Sequence, residues 1–540
     1  METLPEETSR LLPQSGTPRR NDKAKNGKTP DAWRTILSVA GFILMLSFSG
    51  DLGFVPQTAI LQDIVCDKYY AQHVADGPAL ASPAERCLIE PVQSEVAYIN
   101  GWKDSLEILP AMLLALPYGA LADRIGRKPV LLLAVIGCFL NDSWTRIVYW
   151  FSNIFPARLV WLGGLGQAIG AGSPTLTSVC FVLVADVAPV DQRTTAFSYI
   201  QPATVLSKVI FVPIGGALNE INPWLPMFLS SACMILSIFV LVIFVPETLQ
   251  PASGALDNGD GDVQEHEEAE SSPLLRHVED AIDTTATTTD TKDATIKTQL
   301  LEQAANLKIA FSQWTVQHPR VGLLMLCFFV MFMGEMAFNT LLLQFTEKRL
   351  GWSLGEASYI VSLGAGVQVL NLLVLLPLGS NFLLRRFQLH ETAKDKVITQ
   401  TSGVLLVVGS ILMFFAHSWV VLVAGQLLSH IGYAFTLPLR SIVTSMVDKS
   451  QLGALYMGIS VLTYGGAMAG NPIAARLFKW GMQVGDGDFW MGLPYLVAAG
   501  CFAIALGVVS TAAVTGSGRV HGVHEDGEHS EEEAETSRTV

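Results

Sequence analysis

Between residues 34 and 514 the chain passes through twelve strongly apolar stretches of helical length. Crossing the hydrocarbon core of a bilayer takes about 20 apolar residues in a helix. Lipid offers no water to unpaired backbone groups, so each crossing has to be helical. The stretches fall at 34–56, 104–122, 129–150, 158–185, 196–219, 224–245, 320–344, 355–380, 398–415, 418–438, 452–475 and 490–514. The pattern predicts an all-α membrane protein with twelve transmembrane helices. Composition agrees: 15% of residues are charged and the mean hydropathy is +0.40, where a soluble protein would carry roughly 25% charge.

The net charge of −14 lies largely outside the apolar stretches, since residues 250–318 hold 13 Asp or Glu against 4 Lys or Arg. A near-neutral apolar body with acidic appendages has the lipid bilayer as its partner and excludes nucleic acid. Five regions follow: a tail at 1–33, a first half at 34–249, an acidic linker at 250–318, a second half at 319–514 and an acidic tail at 515–540. The linker carries too little apolar surface to fold alone. The first 33 residues are polar and mixed in charge, so no cleavable leader is expected. Arg19, Arg20, Lys23, Lys25, Lys28 and Arg34 crowd the first span and read as cytoplasmic. Twelve crossings return the C-terminus to that side. Pro117-x-Gly119 recurs as Pro377-x-Gly379, and Pro213-Ile-x-x-x-Leu218 as Pro472-Ile-x-x-x-Leu477, at offsets of 260 and 259 residues. Matched offsets at equivalent spans point to a parallel six-plus-six repeat.

The turn between spans two and three reads Gly119-Ala-Leu-Ala-Asp123-Arg124-Ile-Gly126-Arg127-Lys128. It resembles the signature of the major facilitator superfamily of secondary transporters. Arg158-Leu-Val-Trp161, Ala185-Asp186-Val-Ala-Pro, Arg193-Thr-Thr-Ala-Phe197 and Pro246-Glu247-Thr248 are similar to fungal branches of that family. Ile64-Val-Cys66-Asp-Lys-Tyr69-Tyr70 looks distantly like the proton-coupled folate transporter branch. The resemblance implies two six-helix bundles in the major facilitator fold and transport by alternating access. Gly119, Asp123, Arg124, Gly126, Arg127 and Lys128 then form a conformational gate. In it Asp123 accepts from helix N-terminal amides, Arg127 and Lys128 pair with neighbouring acids, the glycines allow close backbone approach, and the cluster locks spans two and eleven in one state. A simpler reading of Arg124, Arg127 and Lys128 is that they obey the positive-inside rule.

Charges inside spans cost about 2.5–3.5 kcal/mol each on insertion scales and mark pathways. Asp51, Arg158, Lys208, Glu335 and His430 are the candidate substrate and proton pathway, with Glu335 as the proton carrier. His430 also reads as a neutral, hydrogen-bonded core histidine. Asp51, Asp104, Glu107, Asp142, Arg146 and Arg158 gather as a second group towards the outer side of the first half, and Asp142 and Arg146 stand four apart on one helix. Gln344, Gln368, Asn371 and Gln426 are candidate polar lining.

Cys66 and Cys87 share the long 57–103 loop on the oxidising side, where a disulfide is expected. The other five cysteines read as apolar packing, and no cofactor or metal is expected. No nucleophile constellation or phosphate loop appears in a consistent place, so an enzyme is not expected. The expected function is proton-coupled efflux of a small organic molecule, such as a secondary metabolite or xenobiotic, by a monomer. The alternatives are a proton-coupled nutrient or cofactor importer and a non-transporting nutrient sensor. The plasma membrane is the expected address. Glu7-x-x-x-Leu11-Leu12 is an acidic-dileucine pattern that would instead direct the chain to a vacuolar or endosomal membrane.

Overall fold

The computed structural model describes residues 29–72, 86–187, 193–247, 319–388, 391–447, 452–484 and 488–511. Glu7, Leu11 and Leu12, the two tails beyond these bounds and the linker lie outside them.

Helix follows helix along the chain. The first half contains α1 (Thr29–Gln72), α2 (Glu90–Ile125), α3 (Arg127–Trp150), a 3-10 stretch Ala157–Ala168 leading into α4 (Gly172–Val187), α5 (Arg193–Ile221) and α6 (Trp224–Phe244). The second contains α7 (Pro319–Leu350), α8 (Leu354–Phe387), α9 (Glu391–Phe414), α10 (Trp419–Ser445), α11 (Leu452–Gln483) and α12 (Leu493–Thr511). Ten described helical segments are long and apolar enough to cross a membrane. α2 and α11 add 36 and 32 residues, and at 1.5 Å per residue both exceed a hydrocarbon core of roughly 30 Å.

Two expectations change. The loop expected at 57–103 is helical over most of its described length, because α1 continues to Gln72 and α2 starts at Glu90. Three spans are also not uniform α-helices. α8 widens into a π turn at Asn371–Leu375, and α10 tightens into 3-10 at Tyr433–Phe435. A proline follows each irregularity, Pro377 and Pro438. Proline has no N–H to give the preceding turn, and its ring crowds the carbonyl four residues back. The 3-10 stretch before α4 ends where Gly170, Ala171 and Gly172 take positive φ.

Within the first half α1 packs on α5 and α6; within the second α7 packs on α11 and α12, and α9 on α10 and α12. The second half has one continuous core, containing Phe328, Phe345, Phe435, Phe478, Tyr495 and Phe502. The first half has two main clusters, one around Phe42, Leu131 and Leu183, the other around Leu61, Val96 and Tyr149. Charged residues of α2 and α3 sit between them at mid-height.

The halves meet through α5 against α8 and α2 against α11. Their cross-links cluster at the end remote from the Gly126 turn. There Gln62 bonds Glu347 at 2.9 Å, Gln483 bonds Glu90 at 3.0 Å and Ser353 bonds Glu220 at 2.7 Å. Gly355 permits the α5–α8 crossing, since a Cβ there would lie 2.6 Å from Glu220 Oε1 and 2.9 Å from the carbonyl oxygen of Gly216. Two links lie at mid-height: Ser105 donates to the carbonyl of Met468 at 2.8 Å and Ser362 Oγ to the carbonyl of Lys208 at 3.4 Å. The far end is therefore sealed, and among the described residues no hydrogen bond joins the halves at the end that carries the Gly126 turn.

Candidate functional site: a charged cavity between the halves

Behind that seal lies a cavity of about 310 Å³, lined by α1, α5, α7, α8 and α10. It brings together four of the five candidate pathway residues: Asp51, Lys208, Glu335 and His430. Their helices come from both halves, which is why residues so distant in sequence converge. Gln368, Gln426, Asn339 and Tyr433 add polar edges, while Phe54, Val205, Val212, Phe338, Leu342 and Val361 supply apolar walls.

Asp51 accepts a 2.6 Å hydrogen bond from Ser207 Oγ. Lys208, the next residue on α5, lies in the electrostatic field of both Asp51 and Glu335. Among the described residues it closes an ion pair with neither. One cation thus stands between two carboxyls, and the trio is balanced only when a proton or a cationic group joins it. Asn339, one turn along α7, hydrogen-bonds Glu335.

His430 is buried, with Nδ1 2.9 Å from the carbonyl oxygen of Gln426 and its ring edge-on to Tyr433. It is also pressed against Gly364, where a Cβ would lie 2.6 Å from its Cε1. The histidine lines the cavity while being held as a packed core residue. Asn371 does not line the cavity. From the π turn of α8 its amide donates to the carbonyls of His430 and Ile431 at 3.2 and 2.7 Å. Those carbonyls lie where α10 breaks its regular bonding, so one side chain staples the two irregular helices together. π turns are over-represented at functional sites.

Arg158 is elsewhere. It makes a two-pronged pair with Glu95 at 2.9 and 3.1 Å, and its side chain is 57% exposed at the far end. Its placement near a helix end, where a guanidinium reaches water, explains why a charge inside an apolar stretch is not here a pathway residue.

The rest of the second charged group assembles beside the cavity, inside the first half. Lys103 bonds Glu107 at 2.8 Å, Arg146 lies 3.7 Å from Asp142, and Arg146 donates to Ser230 at 3.0 Å. They border a smaller cavity of about 150 Å³ that shares Gly50 with the larger one. Sequence reading missed Lys103, although its spacing of four from Glu107 was the available signal.

At the signature turn Gly126 has φ 110°. A Cβ there would lie 2.5 Å from Glu247 Oε2. That carboxylate accepts from the backbone amides of Arg127 at 2.9 Å and Lys128 at 3.0 Å, capping the start of α3. Glu247 thus caps this helix; the Asp123 side chain, expected to accept from such amides, lies outside the described residues. Arg127 Nε pairs with Asp186 at 3.3 Å, and Lys128 Nζ donates to the carbonyl of Val242 at 2.7 Å. These bonds tie α3 to α4 and α6 within the first half, rather than tying α2 to α11. Arg124 is exposed, and a Cβ on Gly119 would meet nothing within 4 Å, so this glycine allows no close approach in the present conformation. Cys66 and Cys87 are joined by a disulfide that fastens the end of α1 to the segment before α2. Gln344 is not in the cavity; it belongs to the far seal, with its amide 3.2 Å from Gln93 Oε1.

The sequence model of the Major Facilitator Superfamily matches residues 37–390. The efflux pump ustT of Aspergillus flavus is 36% identical over 470 residues, covering 87% of this chain and 86% of that protein. The MFS efflux pump atnC of Emericella nidulans is 29% identical over 484 residues, covering 88% and 87%. Among solved structures, a bacterial homolog of the human lysosomal transporter Spinster, in an inward-facing and unoccupied conformation, superposes with a TM-score of 0.57. It is 13% identical, with 89% of this chain and 97% of that one covered. That likeness speaks to the fold.

Proposed function

The chain belongs to the major facilitator superfamily, and on that premise we propose that it exports a small organic molecule in exchange for protons by alternating access. The observation that carries the reading is the Asp51–Lys208–Glu335 trio, shared between halves whose cross-links, among the described residues, lie at the far end and at mid-height. Both termini lie in the cytoplasm on this reading, so the cavity faces the cytoplasm in the present conformation. Cargo enters from that side while Glu335 is ionised in the field of Lys208. Rocking of the halves breaks the far seal and turns the cavity outward. A proton from outside then loads Glu335, ends its attraction to Lys208 and favours return.

The cavity is at the small end of ligand pockets, which run about 300–1,000 Å³. Its mixture of aromatic and aliphatic walls with a few amides suits an amphipathic molecule of modest size. Relatives carrying the name efflux pump support the outward direction, and a secondary metabolite is the cargo class that follows. The plasma membrane is the matching address, with the monomer as the working unit. Comparative profiling of small molecules in cells and medium, with and without the chain, tests the reading. Retention of a compound inside cells that lack the chain supports export. Depletion of an intracellular compound in those cells would identify an importer.

A further inference from the structure

The far seal contains a group that the transport cycle above does not use. Gln62 of α1, Gln93 of α2, and Gln344 and Glu347 of α7 are all buried, between 0% and 9% exposed, where the halves meet. Gln62 Nε2 donates to Glu347 Oε1 at 2.9 Å, Gln344 Nε2 to Gln93 Oε1 at 3.2 Å, and Gln93 Nε2 to the carbonyl of Cys87 at 3.2 Å. Three buried atoms of this cluster have no hydrogen-bond partner: Gln62 Oε1, Gln344 Oε1 and Glu347 Oε2. All three are acceptors. The cluster therefore lacks a donor, and a buried acceptor left unpaired is costly.

The charges around it do not resolve the deficit. The charged group facing Glu347 from α1 is Asp63, another acid, and the amide bonding it is that of Gln62. Lys348, beside it on α7, donates to the carbonyl of Leu88. Glu90, one turn before Gln93 on α2, is bonded by Gln483 of α11. An ionised Glu347 would bury a negative charge beside an acid and leave three oxygens unsatisfied. A protonated Glu347 turns Oε2 into a donor that can serve an orphan amide oxygen, while Oε1 continues to accept from Gln62. Amide oxygen and nitrogen are assigned from the bonding network, and in the alternative arrangement, with the Gln62 amide turned about its last bond, the acid donates through Oε1 to the Gln62 oxygen instead.

We propose that Glu347 is a second proton-binding site, loaded when the far gate is closed and unloaded when that gate opens. The site lies twelve residues beyond Glu335 on α7, or about 18 Å by helix rise, so the two carboxyls can load separately. The inference rests on the alternating-access reading but not on the direction in which cargo moves. Opening the gate hydrates Glu347, its proton leaves to water, and the carboxylate then opposes closure until a proton returns. External acid closes the gate and external alkali holds it open.

The test is the distance between spin labels on the full chain in lipid nanodiscs, attached at Asn153→Cys and Ser418→Cys. Both positions are exposed, one on each half at the far end, and the background lacks the five free thiols. Raising the pH from mildly acidic to mildly alkaline is expected to lengthen the distance in the otherwise unaltered chain. Glu347→Gln is expected to abolish that response and hold the short distance, and Glu347→Asp to keep a response. A full pH response in Glu347→Gln, or none in the unaltered chain, overturns the proposal. So does a lengthening or shortening produced by sodium ions at constant pH, which would make the cluster a metal-cation site. If Glu347→Gln fails to fold, infrared spectra of the closed state decide. The carboxylic C=O band is expected to shift in Glu347→Asp, and an unshifted band overturns the assignment. Cargo direction affects neither readout, so a failure here is distinct from a failure of the export reading.

Discussion

Glu247 caps the helix that begins at Arg127: its Oε1 accepts the backbone amide of Arg127 at 2.9 Å. The next amide, on Lys128, goes to Oε2 at 3.0 Å. A carboxylate at a helix N-terminus satisfies orphan donors and complements the dipole. The site is exposed, so the contribution is that of an ordinary cap, about 1 kcal/mol. Glu247→Ala is expected to lower the unfolding temperature by a few degrees, measured by scanning fluorimetry of the purified protein. An unchanged transition would mean that water replaces the cap at no cost.

Glu335→Gln tests the proposed coupling step. The amide keeps the size of the carboxyl but cannot bind and release a proton. In the unaltered chain, export by proton exchange rises as the external medium is acidified. The variant is expected to give flux that is low and flat with external pH while cargo still binds. A pH profile identical to that of the unaltered chain removes Glu335 from the coupling step.

Lys208 and Arg158 make a contrasting pair. Lys208→Ala removes the cation between Asp51 and Glu335, and flux is expected to fall by more than tenfold. Arg158→Ala breaks a surface pair worth about 0–1 kcal/mol, and flux is expected to stay within a factor of about two. Equal losses in both variants would show that transport follows general stability rather than the cavity.

Asn371→Leu leaves the amide's two acceptors, the carbonyls of His430 and Ile431, without their staple. An unsatisfied buried polar group costs about 1–3 kcal/mol. The expected result is a lower unfolding temperature together with weaker cargo binding, because His430 lines the cavity from the same turn. Loss of stability with unaltered affinity would confine Asn371 to a structural role.

Much of this molecule is legible in its sequence because lipid leaves little choice. Apolar runs of spanning length have to become helices, and the charges within them stand out. That is how Asp51, Lys208, Glu335 and His430 are found before any cavity is visible. Arg158 stands out in the same way and is misleading, because helix phase and depth, rather than sequence position, decide whether a side chain meets the cavity or water. Asn371 reads as lining for the same reason. Glu347 is missed because the apolar stretch ends at 344 while α7 continues to Leu350, burying an acid that the sequence leaves outside the membrane. Gln62 and Gln93 carry no charge to draw the eye, and only the meeting of the two halves reveals what they do. Glu247 could be seen as the end of span six; its bond to the start of α3, 120 residues earlier in the sequence, could not.

The central claim is export driven by the proton gradient. Its most direct test uses inside-out plasma-membrane vesicles, with and without the chain, offered an extract of cells that lack it. Mass spectrometry then reads what the vesicles accumulate while their lumen is held acidic. The account predicts that chain-bearing vesicles concentrate at least one compound, and that an uncoupler or Glu335→Gln abolishes the accumulation. Accumulation that survives the uncoupler, or net loss of the compound from preloaded chain-bearing vesicles while the gradient is held, would contradict it.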